Sequence, residues 1–367
     1  VGDVTFGDVR AMLAREPERA WRGLHRLALG YHDPREWREV VVPYASAQMS
    51  QWPVGAPERL ATHSMLMRRA IEVRWDPMLD LCDAVEFDHD TIGLFGGLME
   101  HVGARWRRVV FTGEFKKKHL AEAARVEGVE VDELVWRSPG HLGRAWGRSS
   151  RADWFAGARR LEVHGAVAGA EGMRRLAERE ALGVTELWCD GVRVDEGMWR
   201  AMSGAPWSDR LVVLGLRAVG SPRARRQERW GVGELREVFE EGFASGFGSL
   251  RELDMSGLEL GEAAVGVAQG LGPRLERAEF VRCAIDDAAL AGMIEAGVFE
   301  RARVVDLRGN DLTRRGFEAL ASARLPSLER LRLWRRRTWD AEWVREYAGR
   351  EVWSEQVREG LLADMEG

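Results

Sequence analysis

One spacing constrains this chain more than any other property. In the stretch RARVVDLRGNDLTRRGFEAL, residues 301–320, apolar side chains occupy Ala302, Val305, Leu307 and Leu312, with Asn310 between the last two. The same five-point pattern holds Leu275, Ala278, Phe280, Cys283 and Ile285, and before them Leu250, Leu253, Met255, Leu258 and Leu260. It recurs at Val184, Leu187, Cys189, Val192 and Val194, and at Ala158, Leu161, Val163, Ala166 and Ala168. Shorter forms start at Cys82, Trp106, Val131, Leu211 and Leu328, so ten units follow one another at steps of about 24 to 27 residues, with one step of about 39. Numbered from its first apolar residue, each unit places positions 4 and 6 on one side of a short strand and positions 3, 5 and 7 on the other.

A second regularity follows each strand. Apolar pairs three residues apart, Phe317 with Leu320, Leu290 with Met293, Val265 with Ala268, Trp199 with Met202 and Met173 with Leu176, mark the inner edge of a short helix. A unit of strand, turn, helix and return cannot bury its apolar face alone. Consecutive units must therefore stack, with strands pairing in parallel on one side and helices lying on the other.

LRELDMSGLEL at 250–260 and VVDLRGNDL at 304–312 resemble the leucine-rich-repeat proteins, and specifically the ribonuclease-inhibitor-like α/β horseshoes, whose repeats carry a helix and accept Asn or Cys at position 9. The resemblance covers roughly residues 82 to 335 and implies an α/β leucine-rich-repeat solenoid, with a curved parallel sheet on the concave side and helices on the convex side. It departs from the family pattern in having Asn at position 9 only at Asn310. Residues 1–80 do not fit the repeat and read as short helices interrupted at Pro17, Pro34, Pro43 and Pro53, a helical N-terminal cap. Repeats are expected over 81–336 with an insertion near 218–246, and a helical C-terminal cap over 337–367.

Composition supports a folded protein of mixed charge. Apolar residues make up 45% of the 367, and 54 basic against 59 acidic residues leave a net charge of -5. No basic excess points to nucleic acid, and no apolar run approaches the ~20 residues of a membrane span. Cys82, Cys189 and Cys283 are odd in number and far apart, which fits neither a disulfide framework nor a metal knuckle; the expectation is buried small hydrophobes in a reducing cytoplasm. Apart from Lys116, Lys117 and Lys118 every basic residue is Arg, which reads as bacterial codon usage.

The concave surface follows from positions 3, 5 and 7. It brings together Glu162 and His164, Trp188 and Asp190, then Arg217, Asp254 and Glu279, then Asp306, Arg308, Arg332 and Trp334, with an acidic middle stripe interrupted by Trp188. The long step contains GSPRARRQERWGVG at 220–233, an Arg-rich rim loop whose Arg225, Arg226 and Trp230 are further candidates for partner contact. Motifs for nucleotide binding, zinc proteolysis and serine hydrolysis are missing, and Glu86, Asp88, His89 and Asp90 do not converge by strand alternation on one ion. No cofactor, metal or catalytic residue is therefore expected. The reading that results is a non-catalytic scaffold for another protein. The alternatives are an inhibitor or immunity protein that blocks a toxic enzyme, and an effector-like enzyme whose repeats select substrate.

Overall fold

The computed structural model describes residues 4–30, 35, 37–48, 60–61, 84–88, 90–92, 95, 108–113, 121, 123, 125, 131–137, 153–164, 170–180, 182–191, 195–218 and 232–333. The chain divides into two compact units, Val1–Ser138 with Arg148–Ala158, and Pro139–Gly147 with Arg159–Gly367. The expected C-terminal cap lies outside the described residues.

The first unit begins with helices α1 (Phe6–Leu13) and α2 (Pro17–Gly30), a π turn at Trp37–Val41 and α3 (Val42–Ala47). Thr5 starts α1 through a capping box: its hydroxyl accepts from the Asp8 amide at 3.2 Å, and the Asp8 carboxylate accepts from the Thr5 amide at 2.9 Å. The three- and four-residue apolar spacing closes these helices on a core of Val9, Leu13, Ala20, Leu24, Ala28, Trp37, Val41 and Ala45. Strands β1 (Leu60–Ala61), β2 (Ala84–Phe87), β3 (Arg108–Thr112) and β4 (Glu133–Arg137) then pair in parallel in chain order. Pairing of Leu60 with Ala84 adds one strand before the first that the sequence pattern shows. Behind β2 to β4, Phe87, Phe95, Phe111, Trp136 and Trp154 pack edge to face, tilted or, for Phe87 on Phe111, stacked, and Trp154, at the start of α4 (Asp153–Ala156), donates its indole N–H to the Ala123 carbonyl at 3.0 Å.

The second unit alternates strand and α-helix, with a single 3-10 turn, Ser208–Arg210, added before the strand at Val213–Arg217 among the described residues. Its strands are β5 (Arg160–His164), β6 (Glu186–Asp190), β7 (Val213–Arg217), β8 (Glu252–Asp254), β9 (Arg277–Glu279), β10 (Val304–Asp306) and β11 (Arg330–Arg332). Its helices are α5 (Ala170–Ala177), α6 (Glu196–Ser203), α7 (Val232–Ser245), α8 (Ala263–Leu271), α9 (Asp287–Glu295) and α10 (Arg314–Ser322), each packed against the next. All strand pairs are parallel, and one line of partners runs Arg160, Glu186, Val213, Glu252, Arg277, Val304, Arg330. Every residue in that line is position 3 of its repeat, so the register is the one the apolar spacing dictates. Positions 4 and 6, from Leu161 and Val163 through Ala278 and Phe280 to Val305 and Leu307, are buried at 1% exposure or less. The second unit is an open α/β solenoid: a parallel sheet in chain order with a helix between successive strands.

The long step between β7 and β8 leaves the sheet unbroken, because Val213, Leu214 and Gly215 still pair with Glu252, Leu253 and Asp254. Part of the extra length is taken up by α7, a helix of 14 residues that packs between α6 and α8. Trp199 of α6 is buried against Phe239, Phe243 and Phe247 and donates to the Val238 carbonyl at 3.0 Å. The apolar helix pairs are buried as expected in α5, α6, α9 and α10; in α8 the buried set is instead Ala264, Val267, Ala268 and Leu271, and Val265 turns toward Gly292 of the next helix.

Position 9 joins neighbouring repeats. Asn310 is 6% exposed; its Oδ1 accepts from the Cys283 and Ile285 amides at 2.8 and 3.2 Å, while its Nδ2 donates to the Phe280 and Leu307 carbonyls at 2.6 and 2.8 Å. Cys283 does part of the same work one repeat earlier, its thiol donating to the Met255 carbonyl at 3.1 Å. Burial pushes the Cys283 and Cys189 thiols well up from the ordinary value, so both stay protonated. Just before position 9 the backbone turns left-handed, at Gly191, Gly257, Arg282 and Gly309 in turn. Replacing Asn310 by Ala strands buried amides and carbonyls on two repeats, with an expected loss of about 2 to 4 kcal/mol in urea unfolding. Cys189 and Cys283 are expected to resist alkylation in the folded protein and to react in denaturant, as peptide mapping by mass spectrometry would show.

Candidate functional site

The sheet face opposite the helices of the second unit carries three rows of side chains. Position 3 supplies Arg160, Glu186, Glu252, Arg277 and Arg330; position 5 supplies Glu162, Trp188, Asp254, Glu279, Asp306 and Arg332; position 7 supplies His164, Asp190, Arg217 and Arg308. Ten of the fourteen side chains expected to contact a partner are therefore brought to one face. The remaining four, Arg225, Arg226, Trp230 and Trp334, lie outside the described residues.

The acidic middle stripe is present but it is not bare. Each carboxylate is met by a cation from a neighbouring row: Arg160 Nη2 reaches Glu162 at 3.3 Å, Arg277 Nη1 reaches Glu279 at 3.1 Å, and Arg217 Nε donates to Asp254 at 2.5 Å. Asp306 takes Arg308 Nη2 at 2.7 Å and Arg332 Nη1 at 3.7 Å. Two residues expected to be exposed are in fact buried, Asp254 at 4% and Asp306 at 1% exposure. The reason is local. Each turns a carboxylate oxygen onto the amide two residues ahead, Ser256 at 2.9 Å and Arg308 at 3.2 Å, which ends strands β8 and β10 after three residues and leaves the side chain beneath its arginine. These two aspartates position arginines; they do not present free charge.

The aromatic in this face is Trp188. Its ring lies over Gly215 of β7, where a Cβ would overlap the indole, and guanidinium groups stand at 5.6 Å (Arg160) and 4.6 Å (Arg217) from its centroid. The arginines are themselves held from both sides, Arg160 by Glu162 and Glu186 and Arg217 by Asp254 and, more loosely at 4.0 Å, by Asp190. Beside the indole, His164 bridges two strands, with Nε2 at 2.6 Å from Glu162 and Nδ1 at 3.2 Å from Asp190. Two polar atoms of the cluster are buried without a hydrogen-bond partner among the described residues, the Trp188 indole N–H and Asp190 Oδ1.

Burial raises the pKa of Asp190 above the ordinary carboxylate value; Arg217 and His164 pull it down, and Glu162 and Asp254 push it further up. For Arg217, burial works against the charge, but Asp254 and Asp190 more than offset it and the guanidinium is held above its ordinary value. The arrangement has no nucleophile beside a base, since Cys189 on the same strand faces the core. It is built to present a rigid, charge-framed aromatic surface.

In the first unit, the candidate ligands at 86–90 are used by the local backbone. Asp88 Oδ1 accepts from the Asp90 and Thr91 amides and from the Thr91 hydroxyl, and Glu86 accepts from the Thr112 hydroxyl at 2.7 Å; His89 lies outside the described residues. Among the described residues no group of three His, Cys, Asp or Glu side chains is placed to hold a metal ion, and no helix is long and apolar enough to cross a membrane.

No family model matches the sequence, and no curated protein matches it. Among solved structures, the chain is similar to one in the complex of Rad7 and Elc1 in yeast, with 12% identity over 94% of this chain and 90% of that one and a TM-score of 0.37. It is also similar to the TLR13–ssRNA13 complex structure, with 12% identity over 68% of this chain and 41% of that one and a TM-score of 0.27.

Sequence reasoning missed Gly215 as the residue that seats the indole. The signal for it was the only small residue in the position-5 row, directly across the sheet from the only aromatic. Gly215→Ala is expected to expel Trp188 from its seat, costing about 1 to 3 kcal/mol and altering tryptophan fluorescence in the folded state. The Asp190 carboxyl carbon should titrate above the ordinary carboxylate value by NMR. Because the folded state holds that proton more tightly than the unfolded chain, the contribution of Asp190 to stability is greatest at acid pH and is lost as pH rises through the folded-state pKa. Asp190→Asn should flatten that decline.

Proposed function

We propose that this chain is a non-catalytic interaction scaffold that binds a partner protein through the open sheet face of its second unit, with Trp188 as the anchor. The observation that carries the reading is the Trp188 seat. An indole held flat over Gly215 and framed by Arg160 and Arg217 combines the two residue types most enriched where binding energy concentrates. The rigid sheet beneath it means that little side-chain entropy remains to be lost on binding.

The Arg-rich stretch with Arg225, Arg226 and Trp230 belongs to the same proposal as a rim loop, because it falls in the connection after β7, the strand whose Gly215 seats the anchor. A helix between successive strands of the second unit, with Asn310 and Cys283 at position 9 of their repeats, supports the ribonuclease-inhibitor-like subtype. Buried, unpaired Cys189 and Cys283 support a reducing compartment such as the cytoplasm, and arginine usage supports a bacterial source.

Capture of partners from a native lysate with the full chain, repeated with Trp188→Ala, tests the reading. The expected outcome is that a partner held by the unmodified chain is retained at least about tenfold less well by the variant, with the fold retained by circular dichroism, since Trp188 lies on the outward face of β6 and not in the core. Equal retention by both would remove Trp188 as the anchor.

A further inference from the structure

The charges on the open face do not cancel evenly along the sheet. On β5 and β6, Arg160 stands against Glu162, Glu186 and Asp190, while on β10 and β11 Asp306 stands against Arg308, Arg330 and Arg332. At the acidic end every carboxylate has a cation: Arg160 serves Glu162 and Glu186, and His164 and Arg217 serve Asp190. At the basic end the carboxylates run out. Both oxygens of Asp306 are taken by Arg308, at 2.9, 3.0 and 2.7 Å, so Arg332 is left with a 3.7 Å approach to a carboxylate already engaged. Among the described residues Arg330 makes no ion pair, its partner across the sheet being Val304, and its side chain is exposed. Positions 3 and 5 of one strand share a face, so Arg330 and Arg332 point the same way, about 7 Å apart along β11.

We propose that this end of the sheet binds an acidic segment of a partner protein, a run of Asp and Glu side chains, with Arg330 and Arg332 as the contacting groups. The inference rests on the scaffold reading and names the chemistry of its partner. Guanidinium forks match carboxylates in bidentate pairs, and two of them on a rigid strand pay little for ordering. Asp306 contributes by fixing Arg308 beside them without cancelling the pair. A nucleic acid fits less well. Its backbone charge extends in both directions, and along this face it would run onto Glu252, Glu186 and Glu162, whereas a short acidic segment can stay on β10 and β11. The sequence past Leu333 continues with Arg335, Arg336 and Arg337, of the same sign.

The test uses the full chain and a fluorescein-labelled ten-residue oligoglutamate peptide, followed by anisotropy at low ionic strength. Binding is expected for the unmodified protein. It should weaken about tenfold or more in the double variant Arg330→Glu with Arg332→Glu, and less in Arg330→Gln with Arg332→Gln; Arg330→Glu alone, at the exposed position, should weaken it severalfold with the unfolding curve unchanged, whereas reversal at Arg332 also sets a carboxylate beside buried Asp306. Added salt should weaken it further. Trp188→Ala, five strands and about 24 Å away, should leave peptide affinity within about twofold. No peptide binding at low salt, or equal binding by the charge-reversed protein, would overturn the proposal, as would tighter binding of a single-stranded oligonucleotide of equal length. Loss of a captured partner in Trp188→Ala with full retention in the charge-reversed variant would sink this inference and leave the scaffold reading standing. The opposite pattern would remove Trp188 as the anchor and keep the acidic-segment site.

Discussion

Each repeat of this protein is too small to bury its own apolar face, and that constraint generates the rest of the structure. A three- to five-residue strand and a helix of eight to fourteen residues cannot enclose their own apolar side chains, so stability comes from the neighbour. The parallel register is the direct consequence. Only when position 3 meets position 3 do Leu253, Ala278 and Val305 fall into one continuous interior, and a slip of one residue would turn all of them outward. Asn310 and Cys283 then join the turns of adjacent repeats from inside, using side-chain donors where the strands have ended.

The same register that lines up the core also lines up the charges on the opposite face. Because each row repeats across strands about 4.8 Å apart, a carboxylate in the position-5 row is within reach of arginines on either neighbour and in either flanking row. An acidic row in this setting becomes a lattice of pairs. Mostly half-exposed, these pairs add little to stability individually. Their effect is to fix side-chain directions. Arg160 and Arg217 are held where they frame Trp188, and Arg308 is held by a buried Asp306, so the face is ordered before any partner arrives. Among the described residues this pairing leaves Arg330 without a carboxylate and gives Arg332 only a 3.7 Å approach to Asp306.

Much of this was legible in the residues alone. Spacing gave the strand count of the second unit, the pairing partners and the identity of buried and outward positions, because a period of two along a strand leaves no third choice. Two further signals were present and went unread. Position 12 carries Asp195, Asp286 and Thr313, whose side chains accept from amides at the starts of α6, α9 and α10, and position 8 carries glycine wherever the turn needs a left-handed residue, except at Arg282. The length of the step after β7 suggested a projecting insertion; residues 232–245 of it instead form α7, whose apolar side Phe239, Phe243 and Phe247 closes over Trp199.

What the sequence determined by itself is the repeat, and through it the sheet, its order and which side chains reach which face, since these depend on periodicity within one segment. What only the tertiary structure decided is how the outward side chains use one another. Asp254 and Asp306 look like exposed charge in their own segments and are buried beneath arginines, Asp254 under one from the strand before it. Gly215 and Trp188 lie 27 positions apart and meet as cross-strand neighbours. Pairing across strands joins residues that no local pattern connects, and whether a charge is spent or free is settled only when its neighbours on both sides are known.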